Sequence, residues 1–254
     1  MSARVRHAAL ATGGTILVVV ALARVGLLDL ARLGRGAENA ATFLGDLWPP
    51  RVEALPELMG ALLETFEIAI AGTSIGIAIG LPAALFSTRT VAPRAIAGPL
   101  RIVLGVVRSV PALLWAVLAV AALGLGPAAG AIGIAAYTTG HLGKLLGEHF
   151  ESVDPEVVEA VRGTGASRAA VLRHVILPES RNAVVSQCLY ALEYNVRASS
   201  ILGFVGAGGI GFYVLGYVQM LDYRSLATAL IVTLAAVLAL EAIGAGLRRA
   251  YGVR

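Results

Sequence analysis

Long apolar segments alternate with short polar ones along the chain, and this pattern predicts a membrane protein built from helices. A helix needs about 20 apolar residues to cross a bilayer. Segments of that kind lie at about 8–28, 58–86, 102–123, 128–146, from about 183 into a glycine-rich stretch, and at about 226–247. The predicted fold class is therefore an all-α integral membrane protein with about six transmembrane helices, whose two chain ends lie on the same side.

Two parts of the chain differ in what their sequence indicates. Residues 1–57 hold the first apolar segment and a mixed polar loop at 29–57, in which Trp48 beside two prolines fits the lipid headgroup level. The first segment also has the positive flank of a signal peptide, with an Ala-Leu-Ala cleavage pattern at 21–23. Its apolar run continues past that point, which favours an uncleaved helix. Residues 58–254 are expected to form a core with the other five helices.

The composition supports a place in the bilayer. The chain is 57% hydrophobic and only 14% charged, and its mean hydropathy is +0.81. It is therefore far more apolar than a soluble domain. Its net charge of +4 and pI near 9.6 do not indicate a nucleic-acid partner, because the basic residues are spread over loops without interleaved aromatic residues.

Basic residues orient the chain, because Lys and Arg gather in loops that stay in the cytoplasm. With the amino end inside, thirteen basic residues fall in inside loops and tails, and four fall outside. The thirteen are Arg4, Arg6, Arg89, Arg94, Arg101, Lys144, Arg162, Arg168, Arg173, Arg181, Arg248, Arg249 and Arg254. We therefore expect both termini in the cytoplasm.

A polar island at 154–178 separates two apolar segments and predicts two short helices joined by a flexible turn. Asp154 is placed to cap the first helix, and the proline after it stands where a missing N–H is harmless. Gly165 is expected to help end that helix. The second helix is expected from about 166 to 174, before Pro178 breaks the run.

Charged residues inside the predicted spans need a reason, because an unpaired charge there costs at least roughly 2.5 kcal/mol. There are four: Arg108, Glu193, Arg197 and Glu241. Glu193 and Arg197 are four residues apart, the helical spacing of an ion pair, which would either fasten helices or belong to a pathway. Arg108 has no acid in its own helix, so we expect it to pair with Glu241 or Glu193, or to line a wet path that attracts an anion.

These residues suit a tetrahedral oxyanion, because guanidinium groups offer paired donors to phosphate-like oxygens. A translocation path must also release its cargo, so tight binding belongs on a separate protein. The predicted substrate-pathway residues are Arg108, Ser109, Glu193, Asn195 and Arg197. We predict no catalytic and no metal-ligating residues.

The glycine-rich stretch at 203–211 is unlike a nucleotide-binding loop, because no Lys-Ser/Thr pair follows its glycines. That motif is missing from the whole sequence. If ATP drives the protein, ATP and Mg²⁺ bind to another chain, and this chain binds no cofactor. The glycines are expected to permit a sharp bend and a gate at the outer membrane face: Gly206, Gly208, Gly209 and Gly211. With Cys188 as its one cysteine, the chain has no internal disulfide.

The polar island resembles the coupling loop of ABC importer membrane subunits, in which Glu-Ala-Ala, a glycine and a later Leu-Pro dock on the ATPase. Val161 and Val175 replace the more usual alanine and isoleucine of that pattern. The resemblance implies a coupling loop at about 147–181, with these ATPase-coupling residues: Glu159, Ala160, Gly165, Leu177 and Pro178. The alternative is an ordinary amphipathic helix lying on the bilayer.

Four stretches resemble the phosphonate-type ABC importer permeases: 108–111, 140–144, 159–178, and 193–198 running into the glycine-rich stretch. The similarity covers about residue 58 to the carboxyl end. It implies a type I importer permease fold in a bacterial plasma membrane, working by alternating access as a homodimer. The implied partners are two cytoplasmic ATPase subunits and an extracytoplasmic binding protein, and the implied cargo is a phosphonate, phosphite or related phosphorus oxyanion.

Three alternatives stay open on the sequence. Coupling loops are shared widely by ABC importers, so a permease for methionine or another small solute is one. An ion-coupled secondary transporter would use Glu64, Glu67 or Glu193 as a proton carrier and would need no ATPase. A membrane-embedded enzyme has little support, because no Ser/His/Asp set or metal-spaced His pair occurs, and His141 stands alone.

Overall fold

A computed structural model describes residues 3–250, and within them every regular element is helical, as expected for an all-α protein. Arg254, counted above toward the charge bias, lies outside the described residues, as do the side chains of Arg4 and Arg6. The helices are α1 Ala3–Arg24, α2 Leu30–Asp46, α3 Leu55–Ser87, α4 Arg94–Ser109, α5 Ala112–Leu123, α6 Pro127–Glu151, α7 Pro155–Gly163, α8 Arg168–Val171, α9 Leu177–Leu202, α10 Ile210–Gln219 and α11 Tyr223–Ala250.

The chain divides into two compact units, one ending at Pro49 and the other following it. The boundary expected at residue 57 lies inside the second unit. The reason is that Arg51 already belongs to the packing around α11. Its backbone N–H donates to the carbonyl of Arg224 at 3.1 Å, and its guanidinium pairs with Asp222 at 2.7 Å.

Helix α2 occupies most of the stretch 29–57, so the expectation of a polar loop there is wrong. Asp29 caps this helix by accepting a hydrogen bond from the backbone N–H of Arg32 at 2.9 Å. Apolar side chains then recur three or four residues apart, which is the spacing of an amphipathic helix: Leu30, Leu33, Ala37, Ala40 and Leu44.

Helices occupy all six predicted span positions. By length and hydropathy, Val52–Ser87 and Tyr223–Arg249 each qualify to cross a membrane alone. Two bent pairs qualify when each is joined: α4 with α5, bent by 88°, and Arg168–Val205 with α10, bent by 46°. Up to four spans therefore meet this criterion in the described part of the chain. Helix α6 does not qualify on its own, and it contacts α3, α4, α5 and α9.

The span expected at 102–123 is not one continuous helix, because the chain turns sharply between α4 and α5. Val110 has an extended backbone, with φ −88° and ψ 122°. It precedes Pro111, and a proline ring disfavours the helical conformation in the residue before it. Pro111 therefore separates two helices.

The second short helix expected at 166–174 is also different in the structure. Helix α8 passes through a π-helical turn, Leu172–Ile176, directly into α9. Pro178 does not break the run, because it lies in the first turn of α9, where a missing N–H needs no partner. The end of the polar island is thus the beginning of α9.

Glycines bring α3 and α6 into close contact. A Cβ atom added at Gly76 would lie 2.5 Å from the Cβ of Thr138, and one at Gly72 would lie 2.6 Å from the Cβ of Ile134. Gly80 repeats the spacing one turn further along α3. Small residues four apart let membrane helices approach until their backbones touch.

Helix α6 carries glycines of its own toward α4 and α5. A Cβ at Gly140 would lie 2.6 Å from the backbone nitrogen of Arg108, and one at Gly133 would lie 2.7 Å from the backbone of Ala116. Both sides of the break between α4 and α5 therefore rest on α6. Helix α6 therefore packs against α3, α4 and α5 at once.

We predict that Gly76→Ala destabilises the folded protein by about 1–3 kcal/mol, because the added methyl group overpacks the contact with Thr138. Gly60→Ala, in the same helix and with open space around it, is the matched control and should be neutral or slightly stabilising. Reversible unfolding of both variants in the same detergent measures the difference. Equal stabilities would contradict the close packing of α3 on α6.

Candidate functional site

The break between α4 and α5 places Arg108 and Ser109 at the end of α4. The Arg108 side chain is exposed. Within residues 3–250, no carboxylate forms a salt bridge with it. The expected pairing of Arg108 with Glu241 or Glu193 is therefore wrong. The other expectation, that Arg108 lines a wet path and attracts an anion, remains.

Two ion pairs connect α9 and α11 crosswise. Arg197 Nη1 lies 2.8 Å from Glu241 Oε1, with both side chains close to half exposed. Arg248 pairs with Glu193, whose side chain is only 9% exposed. Gly244 makes room for that carboxylate, because a Cβ there would collide with it. The predicted pair within α9, between Glu193 and Arg197, is wrong because each residue finds its opposite charge on α11.

A cleft of about 570 Å³ lies between the break and the face of α9. Its lining is mainly apolar, and Arg197 brings a positive charge to it. Residues on both sides of the cleft contribute, among them Pro111, Leu113, Tyr194, Arg197, Ala198 and Ile201. Arg108 and Ser109 immediately precede this lining along the chain.

Stacked aromatic rings run beside the cleft. The ring centroids of Tyr190 and Tyr194 are 6.5 Å apart, those of Tyr194 and Tyr137 are 5.7 Å apart, and those of Tyr137 and His141 are 5.6 Å apart. The row joins α9 to α6. His141 therefore belongs to a packed ring stack, which is consistent with a helix-packing role.

Asn195 belongs to the helix packing of this structure. Its residue is 1% exposed, and its Nδ2 donates to the hydroxyls of Thr73 and Thr138, both at 2.8 Å. These bonds join α9 to α3 and α6. Asn195 and Glu193 thus each have partners within the chain, and their assignment to the substrate pathway stays a prediction.

The glycine-rich stretch forms the sharp turn that the sequence predicts. Three of its glycines have the left-handed φ that side chains rarely adopt: Gly206 at 78°, Gly208 at 82° and Gly209 at 76°. Helix α10 follows, and the N–H of Ile210 at its start donates to Thr65 Oγ1 at 2.8 Å. Gly211 lies so close to the carbonyl of Ser200 that a side chain would not fit.

Helix α7 has one buried and one exposed face. Asp154 caps it by accepting a hydrogen bond from the N–H of Glu156 at 2.9 Å, and Val158 packs into the core. Gly165 follows with φ +83°. The five residues assigned to ATPase coupling are all exposed: Glu159, Ala160, Gly165, Leu177 and Pro178.

The family model of the binding-protein-dependent transport system inner membrane component matches residues 76–252. The chain belongs to this family. It is therefore a multi-pass permease subunit of an inner-membrane transport system rather than an enzyme, and its ATPase is a separate chain. Membership excludes the ion-coupled transporter and the membrane-embedded enzyme.

Two curated relatives are similar over most of this permease. A phosphite transport system permease protein of Stutzerimonas stutzeri is 36% identical, over 92% of this chain and 86% of its own length. A phosphate-import permease protein of Mycolicibacterium smegmatis is 40% identical, over 79% of this chain and 38% of its own length.

The permease also resembles solved structures. An inward-facing MetNI methionine ABC transporter matches with a TM-score of 0.68 at 22% identity, over 79% of this chain and 98% of that chain. At this identity the likeness shows the fold, which is that of a type I ABC permease. The expectation of that fold is confirmed.

The roles of several residues in the site of the permease could not be predicted from the sequence. In the sequence, Arg248 is only a positive charge at the end of a helix, yet in the structure it forms the ion pair with Glu193. The glycine repeat at 72, 76 and 80 is visible in the sequence and would have predicted a close helix contact. Thr65 carries no signal, because its partner, the start of α10, lies 145 residues away.

We predict that Arg248→Met destabilises the permease by about 3–5 kcal/mol, because it leaves the carboxylate of Glu193 buried and unpaired. Arg197→Met, which breaks the exposed pair with Glu241, is the control and should cost about 1 kcal/mol or less. Thermal unfolding in detergent compares the two. Adding Glu193→Gln should recover most of the loss in the first variant, and equal losses in both variants would contradict this account.

Proposed function

We propose that this permease forms the translocation pathway of an importer for a phosphonate, phosphite or related phosphorus oxyanion. The observation that carries the proposal is the exposed guanidinium of Arg108, which has no carboxylate partner among the described residues. A guanidinium binds a phosphorus oxyanion through paired donors. Two relatives are named for phosphite and phosphate transport, which supports the same cargo class.

The proposed orientation puts the coupling loop and both termini in the cytoplasm. The bias of thirteen basic residues against four supports it. The glycine-rich turn then lies toward the outside, where a binding protein delivers the cargo. Gly206, Gly208, Gly209 and Gly211 are the proposed gate, because their backbone turns sharply between α9 and α10.

The proposed working unit is a homodimer with two ATPase subunits and one binding protein. Each chain carries one exposed coupling helix, α7, and a two-site ATPase needs two. The alternative is a pair of different permease chains on one ATPase dimer. Co-purification of two differently tagged copies of this permease tests the choice, and failure of the second tag to co-purify would favour a mixed pair.

The proposed mechanism is alternating access driven by ATP on the partner chains. Closure of the ATPase pair moves α7, and the permease passes from an inward-open to an outward-open state. Arg108 and Arg197 are the proposed anion-contacting groups, with Ser109 beside the first. Arg197 shares its charge with Glu241, so its hold on an anion is weak, as release of cargo requires.

A small organic solute such as methionine is a second candidate cargo. The mainly apolar lining of the 570 Å³ cleft favours it, because that lining offers an organic side chain more contacts than it offers an inorganic oxyanion. An organic phosphonate would satisfy both features, since it has an anionic head and an apolar substituent.

Coupling is tested at the exposed face of α7. We predict that Glu159→Lys abolishes binding-protein-stimulated ATP hydrolysis, because it reverses a charge on the docking surface. Gly165→Pro should do the same, because proline does not adopt φ +83°. The control is Glu38→Lys, which makes the same charge change in a different helix, α2. Normal uptake by either coupling variant in proteoliposomes would contradict the docking assignment.

Cargo is tested by the ATPase rate of the reconstituted complex with its binding protein. We predict stimulation by a phosphonate or phosphite and at least about a tenfold loss of that stimulation in Arg108→Ala, which corresponds to about 1.4 kcal/mol. Arg224→Ala, remote from the break, is the control. Stimulation by methionine alone would retain the transporter and reject the phosphorus cargo.

A further inference from the structure

The carboxylate of Glu151 joins three elements at the end of the bundle that holds α7. Glu151 is the last residue of α6, and its Oε1 accepts a hydrogen bond from the backbone N–H of Arg89 at 2.9 Å. The same oxygen pairs with the guanidinium of Arg101 on α4. Arg101 also donates to the carbonyl of Ser87 at the end of α3, at 2.9 Å. The end of α6 is thus fastened both to α4 and to the connection between α3 and α4.

Helix α7 is attached to that same connection. Arg162 on α7 donates to the carbonyl of Thr90 at 3.0 Å. The inner face of α7 packs into one hydrophobic cluster with this connection and with α6, through Val158, Val91 and Phe150. A displacement of α7 therefore reaches the connection from which α4 begins.

Helix α4 leads from this connection to the break beside the cleft. It has 16 residues, which is about 24 Å of helix, and it ends at Arg108 and Ser109. It lies against α6 at two glycines: a Cβ at Gly143 would be 2.7 Å from Leu104, and one at Gly140 would touch the backbone of Arg108. Helix α4 therefore runs from this connection to the break, with Pro99 and Arg101 near its middle and Arg108 at its far end.

The contact between Glu151 and Arg101 is stronger than an ordinary surface pair. The two side chains are only 25% and 23% exposed, and partial burial reduces screening by water. Burial alone would raise the pKa of Glu151, but the hydrogen bonds from Arg101 and the backbone of Arg89 outweigh it and lower that pKa. The carboxylate therefore stays charged at neutral pH.

We infer that Glu151 and Arg101 are positioning residues through which movement of α7 is passed to α4, and so to Arg108 at the break. The inference rests on the proposed docking of the ATPase on α7 and is independent of the cargo. A second ion pair on α6, Lys144 with Glu148 at 3.0 Å, stays within that helix. It provides a matched control, because it has the same charges and no role between helices.

The experiment measures whether the break responds to nucleotide. In a Cys188→Ala background, Ser109→Cys serves as a reporter in the permease assembled with its ATPase. Its labelling rate by a water-soluble maleimide is compared between the nucleotide-free complex and the complex trapped with ADP and vanadate. No substrate is needed, so the result does not depend on the proposed phosphorus cargo.

The expected result is at least about a fivefold change of labelling rate on trapping in the parent. We expect the same change with Glu148→Gln and Arg101→Lys, and less than a twofold change with Glu151→Gln or Arg101→Gln. Exchange of the two charges, Glu151→Arg with Arg101→Glu, should restore part of the response. Assembly with the ATPase and basal ATP hydrolysis should stay within twofold of the parent in every variant.

Three results would overturn the inference. One is a parent-like response in assembled Glu151→Gln complexes, and another is a reporter at 109 that does not respond in the parent. The third is a loss of assembly in Glu151→Gln that Arg101→Gln shares, because it would show that the contact only holds the fold together. Glu159→Lys separates the two proposals: if that variant binds the ATPase and responds normally, the docking on α7 fails whatever Glu151 does.

Discussion

The close contact between α3 and α6 is the constraint on which the rest of the second unit depends. Lipid is as apolar as leucine, so burial of large side chains gives little drive for membrane helices to associate. The glycines at 72, 76 and 80 instead let the two backbones touch. Glycines of α6 make similarly close contacts with α4 and α5. Helix α6 therefore packs against several helices, which lets it carry polar side chains such as Thr138 and His141 within the bundle.

Most polar groups in that centre bond to neighbouring helices, whereas the buried Oδ1 of Asn195 has no partner in the part of the chain that the structure describes. Asn195 bonds two threonines on α3 and α6, and Thr65 caps the start of α10. These bonds fix the depth at which the helices meet, because an unpaired polar group in a bilayer is costly. Two ion pairs between α9 and α11 neutralise Glu193, Arg197, Glu241 and Arg248. Arg108 has no such pair among the described residues, and its exposed position beside the cleft is the reason to assign it to cargo.

The helices could largely be predicted from short stretches of sequence, whereas the contacts between distant residues could not. Hydropathy predicted six positions, and helices occupy all of them, although the position at 102–123 is divided between α4 and α5. Asp154 caps α7 and the glycine-rich stretch turns, as their residue types require. Helix α2 was missed because its polar face hid a regular apolar repeat. The partners of Glu193 and Arg197 were missed because spacing along one helix favours a neighbour four residues away, whereas the true partners lie 55 and 44 residues away on α11. Only the folded chain shows which helix supplies the opposite charge.

The tightness of the glycine contacts also limits where the permease is able to change shape. A methyl group on Gly72, Gly76, Gly140 or Gly143 would come within 2.5–2.7 Å of the facing helix. Helices α3, α4 and α6 therefore have little room to roll over one another. Two interruptions of regular helix, at Pro111 and at the turn around Gly206, lie at the ends of the segments that line the cleft. Helix α4 is fastened to Glu151 and to the connection from α3, and it ends at the first of these interruptions. The close glycine contacts therefore favour these two interruptions as the places where the cleft is able to change shape.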